Sequence, residues 1–328
     1  MVKFLIIRFS SIGDIVLTTP VIRCLKQQVE EAEIHFFTKR QYESIVESNP
    51  YIDKVHYLDD NLSEKIKELK DEFYDHIIDL HNNLRTSKVK RKLSLPAFTV
   101  DKLNYKKWLI VNFKINKLPD VHIVDRYLDT VKVFDIVNDM KGLDFFIPQK
   151  DEVEMKSILP AETSEYIAFA IGGQWYTKQM PPEKIISVIS GISKPVVLLG
   201  GKEDVENALL IKAKLPDVIN MCGSLNINQS ASVVKQSKMV ITNDTGLMHI
   251  AAAFKKNIIS LWGNTIPEFG MYPYLAGSES QIMEVRDLKC RPCTKIGFRK
   301  CPKKHFKCMM EIDEKKIQDL TKKIFSIS

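Results

Sequence analysis

The sequence lacks the long apolar runs and the leader that membrane and secreted proteins carry. None of its uninterrupted apolar stretches approaches the ~18–20 residues that a membrane-spanning helix needs. The mostly apolar run at residues 2–7 has the length of a strand, and no small-residue cleavage site follows it. We therefore expect a cytoplasmic protein.

Cysteine is scarce outside one segment. Of the six cysteines, four lie at Cys290, Cys293, Cys301 and Cys308. In a cytoplasmic chain such clustering favours metal binding or free thiols over disulfides. The C-x2-C pair is a good zinc half-site, and the other two thiols could complete a tetrahedron, with His305 as an alternative ligand. The second spacing is loose for a zinc finger, so free or paired thiols are the interpretation we favour over a structural zinc ion.

Acidic residues are nearly absent from residues 85–117, where Asp101 is the single exception. Ten basic residues lie there: Arg85, Lys88, Lys90, Arg91, Lys92, Lys102, Lys106, Lys107, Lys114 and Lys117. Four aromatic residues lie among them: Phe98, Tyr105, Trp108 and Phe113. Such a stretch suits an anionic acceptor, an anionic membrane surface or nucleic acid, although a plain solvated face fits as well.

The rest of the chain alternates strand-like apolar runs with helix-like segments. The predicted strands are residues 2–9, 32–39, 52–59, 74–81, 166–173, 195–201, 218–223, 238–244 and 257–263. Near-continuous apolar strands joined by helices predict parallel sheets with right-handed crossovers. The length of 328 residues favours two domains. We therefore predict an α/β protein of two doubly wound, Rossmann-like domains facing a cleft, at residues 1–150 and 151–311, followed by an amphipathic helix within 312–328.

Three segments are less clear. Residues 14–28 are typical of one helix, which Pro20 must begin or kink. Residues 88–124 have no regular pattern, and residues 124–134 then look helical.

The first predicted strand opens into Ser10, Ser11, Ile12, Gly13 and Asp14. Ligands of doubly wound sheets bind at the carboxyl ends of the strands. Gly13 permits a tight turn or a close backbone approach, and either serine could cap the next helix. An ionised Asp14 could take a proton from an acceptor hydroxyl, but an acid in a first turn can also merely complement the helix dipole.

A second polar turn, at residues 243–246, ends a strand and begins a helix. Backbone N–H groups at such a helix start form an anion site that fits a diphosphate: here those of Thr245, Gly246 and Leu247. His249, about one turn further, could reach a ligand. The alternative is an ordinary cap at Asn243 or Asp244 with a half-buried His249.

Two further loops carry polar residues after predicted strands. Gly172-Gly173 leads to Thr177 and Lys178, and Lys178 could neutralise a leaving phosphate unless it is an ordinary surface lysine. After Gly200-Gly201, the carboxylate of Glu203 could hold ribose hydroxyls.

Three of these stretches together resemble a known family. IRFSSIGDIVLTTPVIRCLK, GGQWYTKQMPPEK and TNDTGLMHIAAAF match glycosyltransferase family 9, the ADP-heptose–lipopolysaccharide heptosyltransferases, in type, order and separation. The resemblance covers nearly the whole chain. It implies a glycosyltransferase B fold in which the helix at 312–328 packs back on the N-terminal domain. It also implies an inverting, metal-independent transfer of heptose from ADP-heptose to an inner-core (Kdo/heptose) acceptor of lipopolysaccharide.

The resemblance also implies roles for residues. Asp14 resembles the general base, and Lys178 resembles a phosphate-contacting catalytic lysine. The expected donor contacts are Gly13, Thr177, Lys178, Glu203, Asp244, Thr245, Gly246, Leu247 and His249. The expected acceptor contacts are Ser10, Ser11, His81, Asn82 and Arg85. No cofactor and no catalytic metal are expected, and the sequence holds no convincing Asp-x-Asp pair at a strand end.

The expected partners follow from this reaction. They are a nucleotide sugar and an anionic glycolipid, with a monomeric protein visiting the inner membrane face peripherally and binding no nucleic acid. Three alternatives stay open: another nucleotide sugar with another envelope glycan, a nucleotide-binding module without catalysis, and a nucleic-acid binder. The presence of Asp14 counts against the second, and the ordered polar turns count against the third.

Overall fold

The computed structural model describes residues 2–161, 163 and 165–327, which separate into two compact units. The first unit contains the chain up to Asn104 together with Val121–Phe146, and the second contains Tyr105–Asp120 together with the chain from Ile147 onward. The expected domain change after residue 150 therefore has its counterpart at Phe146. The basic 85–117 stretch is divided between the units after Asn104, because residues 105–120 pack with the second unit.

The first unit is built on a five-stranded parallel sheet of order β3-β2-β1-β4-β5. Its strands are β1 (Val2–Ile7), β2 (Ala32–Lys39), β3 (Lys54–Leu58), β4 (His76–Asp79) and β5 (Ala97–Thr99). β1 is central because it pairs with both β2 and β4. Residues 4–7 of β1 are fully buried, as its run of apolar residues requires.

The helices of the first unit are α1 (Ile12–Val16), α2 (Thr19–Gln28), α3 (Glu43–Val46), α4 (Leu62–Lys70), α5 (Leu84–Leu93) and α7 (Ile123–Leu128), and α6 (Asn104–Phe113) packs with the second unit. The single helix expected at residues 14–28 is two helices, with Pro20 in the first turn of α2, where no backbone N–H is needed. The helix expected at 124–134 is α7 followed by a 3-10 helix, Asp129–Phe134.

The second unit is built on a six-stranded sheet of order β11-β10-β9-β6-β7-β8 with parallel pairing throughout. Its strands are β6 (Ile167–Ala170), β7 (Val196–Leu199), β8 (Ile219–Asn220), β9 (Met239–Asn243), β10 (Asn257–Trp262) and β11 (Gln281–Glu284). All nine predicted strands are present, some of them shorter than expected. The edge strands β5 and β11 were not predicted.

The helices of the second unit, besides α6, are α8 (Pro182–Ser190), α9 (Val205–Lys214), α10 (Ile227–Gln236), α11 (Gly246–Ala253), α12 (Lys307–Met310) and α13 (Glu314–Ser326). α13 packs on α8, and its Ile317 and Ile324 join the core of the second unit. Gln318 of α13 donates to Ser187 O of α8 at 3.0 Å. The apolar face of this helix is thus used within its own unit, and the expected packing on the N-terminal domain stays a prediction.

The sheets bring the predicted polar turns to defined edges. The turns after β1 and β4 lie at the carboxyl edge of the first sheet, and those after β6, β7 and β9 lie at the carboxyl edge of the second. Among the residues that the structure describes, no helix is long and apolar enough to cross a membrane.

Candidate active site

The turn after β1 is closed by Asp14 itself. Ser11 is the N-cap of α1, and Asp14 lies in the first helical turn. The Asp14 carboxylate accepts hydrogen bonds from the Ser11 backbone N–H at 3.1 Å and from the Ser11 hydroxyl at 2.8 Å. Gly13 is buried in the same turn, and Ser10 is half-buried. The predicted cap and acid are therefore side by side at the sheet edge.

Arg8 holds the turn after β1 in place through an ion pair and hydrogen bonds. Its guanidinium lies 2.6 Å from Asp14 Oδ1 and donates to Ser10 O at 2.8 Å, to Leu80 O at 2.5 Å and to the Tyr127 hydroxyl at 2.9 Å. Burial is the largest effect on the pKa of Arg8, which is 6% exposed, and lowers it, but the charges of Asp14, Tyr127 and Asp79 and the hydrogen bond to Asp14 together outweigh burial, so the pKa is raised. A permanent buried cation therefore holds Asp14, and the sequence analysis did not identify it.

The turn after β4 is organised by a buried carboxylate. Asp79 is fully buried, accepts from the backbone N–H groups of His81 at 3.0 Å and Asn82 at 2.7 Å, and lies 2.8 Å from Lys90 Nζ. Asn82 adopts a left-handed conformation (φ 46°) and donates to Val100 O at 2.8 Å. Asn82 thus has a structural role in the turn besides the acceptor contact predicted for it.

His81 lies close to the Arg8–Asp14 pair, whereas Arg85 does not share this turn. The His81 ring contacts the Phe9 ring in a tilted arrangement, with centroids 5.2 Å apart and an interplanar angle of 55°. Burial, helped by the positive charge of Arg8, lowers the pKa of His81 to about 4, so the ring is neutral at pH 7. Arg85 is exposed on the first turn of α5.

In the second unit, Lys178 and Asp244 come together from loops 66 residues apart. Lys178 ends a 3-10 turn after β6, and its Nζ lies 2.6 Å from Asp244 Oδ2. The Thr265 hydroxyl donates to the same carboxylate oxygen at 2.9 Å. The lysine predicted to contact phosphate is therefore in the same cluster as the acid predicted to contact the donor.

Asn243 ties the turn after β9 to the turn after β6. Its fully buried amide donates to Ile171 O at 2.8 Å and Gly172 O at 3.1 Å, and it accepts from Met180 N–H at 3.1 Å. These three bonds fix the register of the two turns. Asn243 is therefore a positioning residue for Lys178 and Asp244 and not the helix cap that the sequence suggested.

The N-terminus of α11 has the form of an anion site. Thr245 is its N-cap, and its side chain makes no capping bond to the helix within the described chain. The N–H groups of Gly246 and Leu247 fall in the first turn, where helical geometry supplies no acceptor. The Thr245 hydroxyl lies 3.3 Å from that of Thr242. His249 is 2% exposed, so its ring lies inside the unit.

Thr177 is a buried anchor of the Lys178 loop. Its backbone N–H donates to Phe298 O at 3.2 Å, and its hydroxyl accepts from Phe298 N–H at 2.8 Å. At 2% exposure, Thr177 acts on the loop in this structure, and the donor contact predicted for it stays a prediction.

The turn after β7 is organised by Asp204 and not by Glu203. Asp204 is 2% exposed and accepts from Gly201 N–H at 2.8 Å, and burial raises the pKa of its carboxyl. A Cβ on Gly172 would lie 2.1 Å from Asp204 Oδ2, so glycine is required there. Glu203 is exposed beside Gly201. The ribose contact predicted for Glu203 stays a prediction.

The four clustered cysteines carry no disulfide in the described chain. Cys293 donates to Cys290 O at 3.0 Å, and Cys290 Sγ lies 3.9 Å from His305 Nε2. Burial and the neighbouring thiols raise the pKa of Cys293 to about 11, and burial raises that of Cys308 to about 12. These thiols are protonated at neutral pH unless a cation binds them.

Within the described residues, one set of metal-ligand side chains has donor atoms within 4.8 Å of each other: His35, His56 and Glu72. His35 Nδ1 lies 3.1 Å from His56 Nε2, and Glu72 is paired with Lys3 at 3.2 Å and with Lys54. Because two ammonium groups already neutralise the carboxylate, this cluster is a buried polar network of the first unit.

Comparison with known proteins decides the family. Residues 63–304 match the model of glycosyltransferase family 9 (heptosyltransferase). The chain belongs to this family. Lipopolysaccharide heptosyltransferase 1 of Campylobacter coli is 25% identical over 352 aligned positions, which cover 98% of this chain and 99% of that protein.

Solved structures share the fold of this chain. A glycosyltransferase family 9 structure from Veillonella parvula has a TM-score of 0.80 at 22% identity and covers 99% of this chain and 98% of its own. The structure of E. coli heptosyltransferase WaaC with ADP has a TM-score of 0.68 at 18% identity, covering 98% and 99%. The family, the two-sheet glycosyltransferase B fold class and the transferase class predicted from the sequence are thus confirmed.

Proposed function

We propose that this family 9 glycosyltransferase moves a heptose from ADP-heptose to a Kdo/heptose acceptor of the lipopolysaccharide inner core, with inversion and without a catalytic metal. The observation that carries the proposal is the pairing of Asp14 with a buried, fixed arginine at the edge of the first sheet. This geometry keeps a carboxylate beside a permanent cation in a turn that is still partly open to solvent.

Asp14 acts as the general base of the proposed reaction. Its side chain is 22% exposed, so a substrate hydroxyl has access to it. The acceptor O–H proton passes to the carboxylate while the acceptor oxygen forms a bond to the anomeric carbon. The bond from that carbon to the diphosphate breaks on the opposite side, and ADP leaves as an anion. Ser10, Ser11 and His81 lie around this base and are the acceptor contacts that its surroundings favour.

Lys178 and the start of α11 receive the leaving diphosphate. Lys178 supplies a positive charge, and the N–H groups of Gly246 and Leu247 supply dipoles directed at an anion. Asp244 holds Lys178 at 2.6 Å before the donor binds and contacts the sugar or ribose hydroxyls afterwards. The proposed set of donor contacts also includes Gly13, Thr177, Glu203 and His249.

The donor is tested by a thermal-shift panel with ADP, UDP, GDP and CMP, followed by ADP-heptose. A ligand at about 100 times its Kd stabilises a protein by roughly 2.7 kcal/mol, which is a visible shift. A response confined to ADP species supports the proposal. A response to UDP or GDP replaces the donor and keeps the reaction class, and no response favours a non-catalytic module.

The reaction is then tested with ADP-heptose and a Kdo-bearing acceptor in the presence of EDTA. Release of ADP together with acceptor glycosylation is expected at an undiminished rate, since Lys178 and the α11 N–H groups take the place of a metal. Loss of turnover with EDTA and recovery with Mg²⁺ would overturn metal independence. A gel shift with RNA that weakens steeply with salt would favour the nucleic-acid alternative.

Localisation and the cysteine segment complete the proposal. A glycolipid acceptor places the working enzyme, a monomer, at the cytoplasmic side of the inner membrane. A structural zinc ion at the four clustered cysteines would lower the pKa of thiols that burial now raises. Metal analysis of the purified protein tests it. No bound zinc in wild type is expected for the free thiols that we favour, whereas about one zinc per chain that is lost in Cys290→Ser/Cys293→Ser would support a structural zinc site.

A further inference from the structure

One face of the second unit exposes large apolar side chains that its core does not use. α6 contributes a single buried side chain, Ile110, which packs with Ile266 and Phe269. The exposed apolar residues on α6 and just after it are Tyr105 (70%), Trp108 (50%), Phe113 (59%) and Ile115 (48%). The rings of Tyr105 and Trp108 stack, and Trp108 meets Phe113 edge-on. The three aromatic side chains therefore form one continuous patch, and Ile115 follows it in the chain.

A second segment extends this patch. Lys114 Nζ donates to Pro292 O at 2.7 Å, which joins the end of α6 to the cysteine-bearing loop at residues 289–304. That loop exposes Ile296 (50%) and Phe298 (38%). We call α6 with residues 114–117 and the loop at 289–304 the basic-aromatic face. Both parts belong to the second unit.

The charge of this face has one sign. No acidic residue occurs between Asp101 and Asp120 or between Asp287 and Glu311. The basic residues of the face are Lys106, Lys107, Lys114, Lys117, Lys289, Lys295, Arg299, Lys300, Lys303 and Lys304. Arg291 lies in the same loop, but its side chain is 5% exposed and pairs with Glu284, so it does not belong to the face. Most of them are lysines, and most lie on exposed or half-exposed positions around the apolar side chains. A strongly anionic partner is required to match them.

We propose that the basic-aromatic face binds the surface of an anionic lipid bilayer. Aromatic rings with polar edges favour the boundary between headgroups and acyl chains, and lysines around them attract anionic headgroups. α6 has ten residues, about half of the ~20 that a spanning helix needs, so it lies in the interface plane. An aliphatic and aromatic patch ringed by flexible lysines suits a fluid anionic surface better than the shaped grooves by which nucleic acids are recognised.

This inference deepens the proposed function, because a glycolipid acceptor lies in the same membrane. Its test is independent of catalysis. Vesicles of phosphatidylethanolamine with phosphatidylglycerol, and vesicles of phosphatidylcholine alone, are sedimented with the purified protein in the absence of glycolipid and nucleotide sugar. We expect the protein to bind the anionic vesicles at least tenfold more tightly, and binding to weaken as salt increases.

Two variants and two matched controls locate the surface. Trp108→Ala/Phe113→Ala should weaken binding to anionic vesicles at least tenfold, and Lys106→Gln/Lys107→Gln should weaken it several-fold. Leu209→Ala/Leu210→Ala removes two exposed leucines of α9 in the same unit and should leave binding unchanged, as should Lys315→Gln/Lys322→Gln on α13. Unchanged melting temperatures show that each variant is folded.

A second measurement keeps the proposal falsifiable. Trp108 fluorescence should be quenched by brominated acyl chains in anionic vesicles, and the quenching should fall in Trp108→Phe while vesicle binding persists. Equal binding of wild type and the Trp108/Phe113 variant, or absence of binding to anionic vesicles, overturns the proposal. Self-association that the Trp108/Phe113 variant abolishes, without vesicle binding, would instead identify a second copy of this chain as the partner.

Discussion

The two acids that follow central strands, Asp14 after β1 and Asp244 after β9, are held in different ways. Asp14 pairs with Arg8, whose side chain is 7% exposed and also donates to three oxygen atoms of the first unit. Asp244 pairs with Lys178, whose side chain is 18% exposed and ends in a single ammonium group. One cation is fixed by several directional bonds, and the other is a point charge on a flexible stem.

The difference indicates a division of labour. A guanidinium held by four oxygen acceptors is not expected to leave when a substrate arrives, so in the proposed reaction Asp14 keeps its cation. An ammonium group can exchange one anion for another at little geometric cost, so Lys178 can pass from Asp244 to a phosphate. The first pair is suited to holding a base, and the second to receiving a ligand.

The largest effect is expected for Asp14→Asn. Loss of the base should reduce kcat by about 10²–10⁴-fold, since this is the usual contribution of general base catalysis. The donor Kd should change less than about twofold. Glu64→Gln is the matched control, because Glu64 occupies the same first-turn position in α4. If both variants keep full turnover, Asp14 only complements the helix dipole.

The second effect is expected for Lys178→Gln. If Lys178 transfers to the diphosphate, the Kd for ADP should rise about 10–100-fold, in line with loss of a charge-assisted hydrogen bond. Lys202→Gln alters an exposed lysine in the turn after β7 and should change the Kd less than about twofold. Titration calorimetry with ADP measures both. Equal affinities in the two variants would remove the distinction between a fixed and an exchangeable pair.

The third prediction compares the pH response of the units. Burial lowers the pKa of His56 and of His81, both in the first unit, to about 4. The unfolded histidines titrate near 6.5, so the unfolded chain binds more protons below that pH and stability falls as the pH drops towards 4. The loss should reach about 1–2 kcal/mol per histidine by pH 5, above the range in which most carboxylates titrate.

Thermal unfolding from pH 7 to pH 5 measures this response. His56→Gln should flatten the dependence, and His305→Gln, at an exposed position of the second unit, should leave it unchanged. An unaltered slope in His56→Gln would mean that other groups carry the acid sensitivity.

A loss of stability of similar size is expected for Gly172→Ala in the second unit. The new Cβ would lie 2.1 Å from Asp204 Oδ2, so the surrounding atoms must shift to make room for it. We expect this shift to lower the free energy of unfolding by about 1–3 kcal/mol. In Gly173→Ala the nearest atom is Gln179 Cγ at 3.2 Å, which can move, so a smaller loss is expected. Denaturant unfolding of both variants checks the order. Equal losses would show that Asp204 is not wedged against Gly172.

The local sequence pattern was sufficient to predict the strands and the residues of the polar turns. Apolar runs such as residues 32–39 became β2 with the same bounds. The cluster of Lys178 with Asp244 followed from the rule that parallel strands bring their carboxyl ends to one edge. The pairing of Asp14 with the Ser11 cap could also be predicted from the sequence, because helix capping depends on residues that are three apart in the chain.

Contacts between residues far apart in the chain could not be predicted from the sequence. Arg8 meets Leu80 and Tyr127, which are 72 and 119 residues away, and nothing in the local sequence records either contact. α13 has an apolar stripe that any neighbouring element could cover. The sequence therefore does not identify α8 as its packing partner, and only the structure does. α6 was missed because only Ile110 of its ten residues is buried, which leaves almost no helical periodicity in the apolar pattern.

α6 also has a consequence for how the chain is made. It is translated between segments of the first unit, yet its apolar contact, Ile110, packs on Ile266 and Phe269. Phe269 follows Ile110 by 269 − 110 = 159 residues. At about 5–20 residues per second, the ribosome takes about 8–30 s to supply these partners. During synthesis the apolar side of α6 that carries Ile110 therefore stays without these packing partners for that interval.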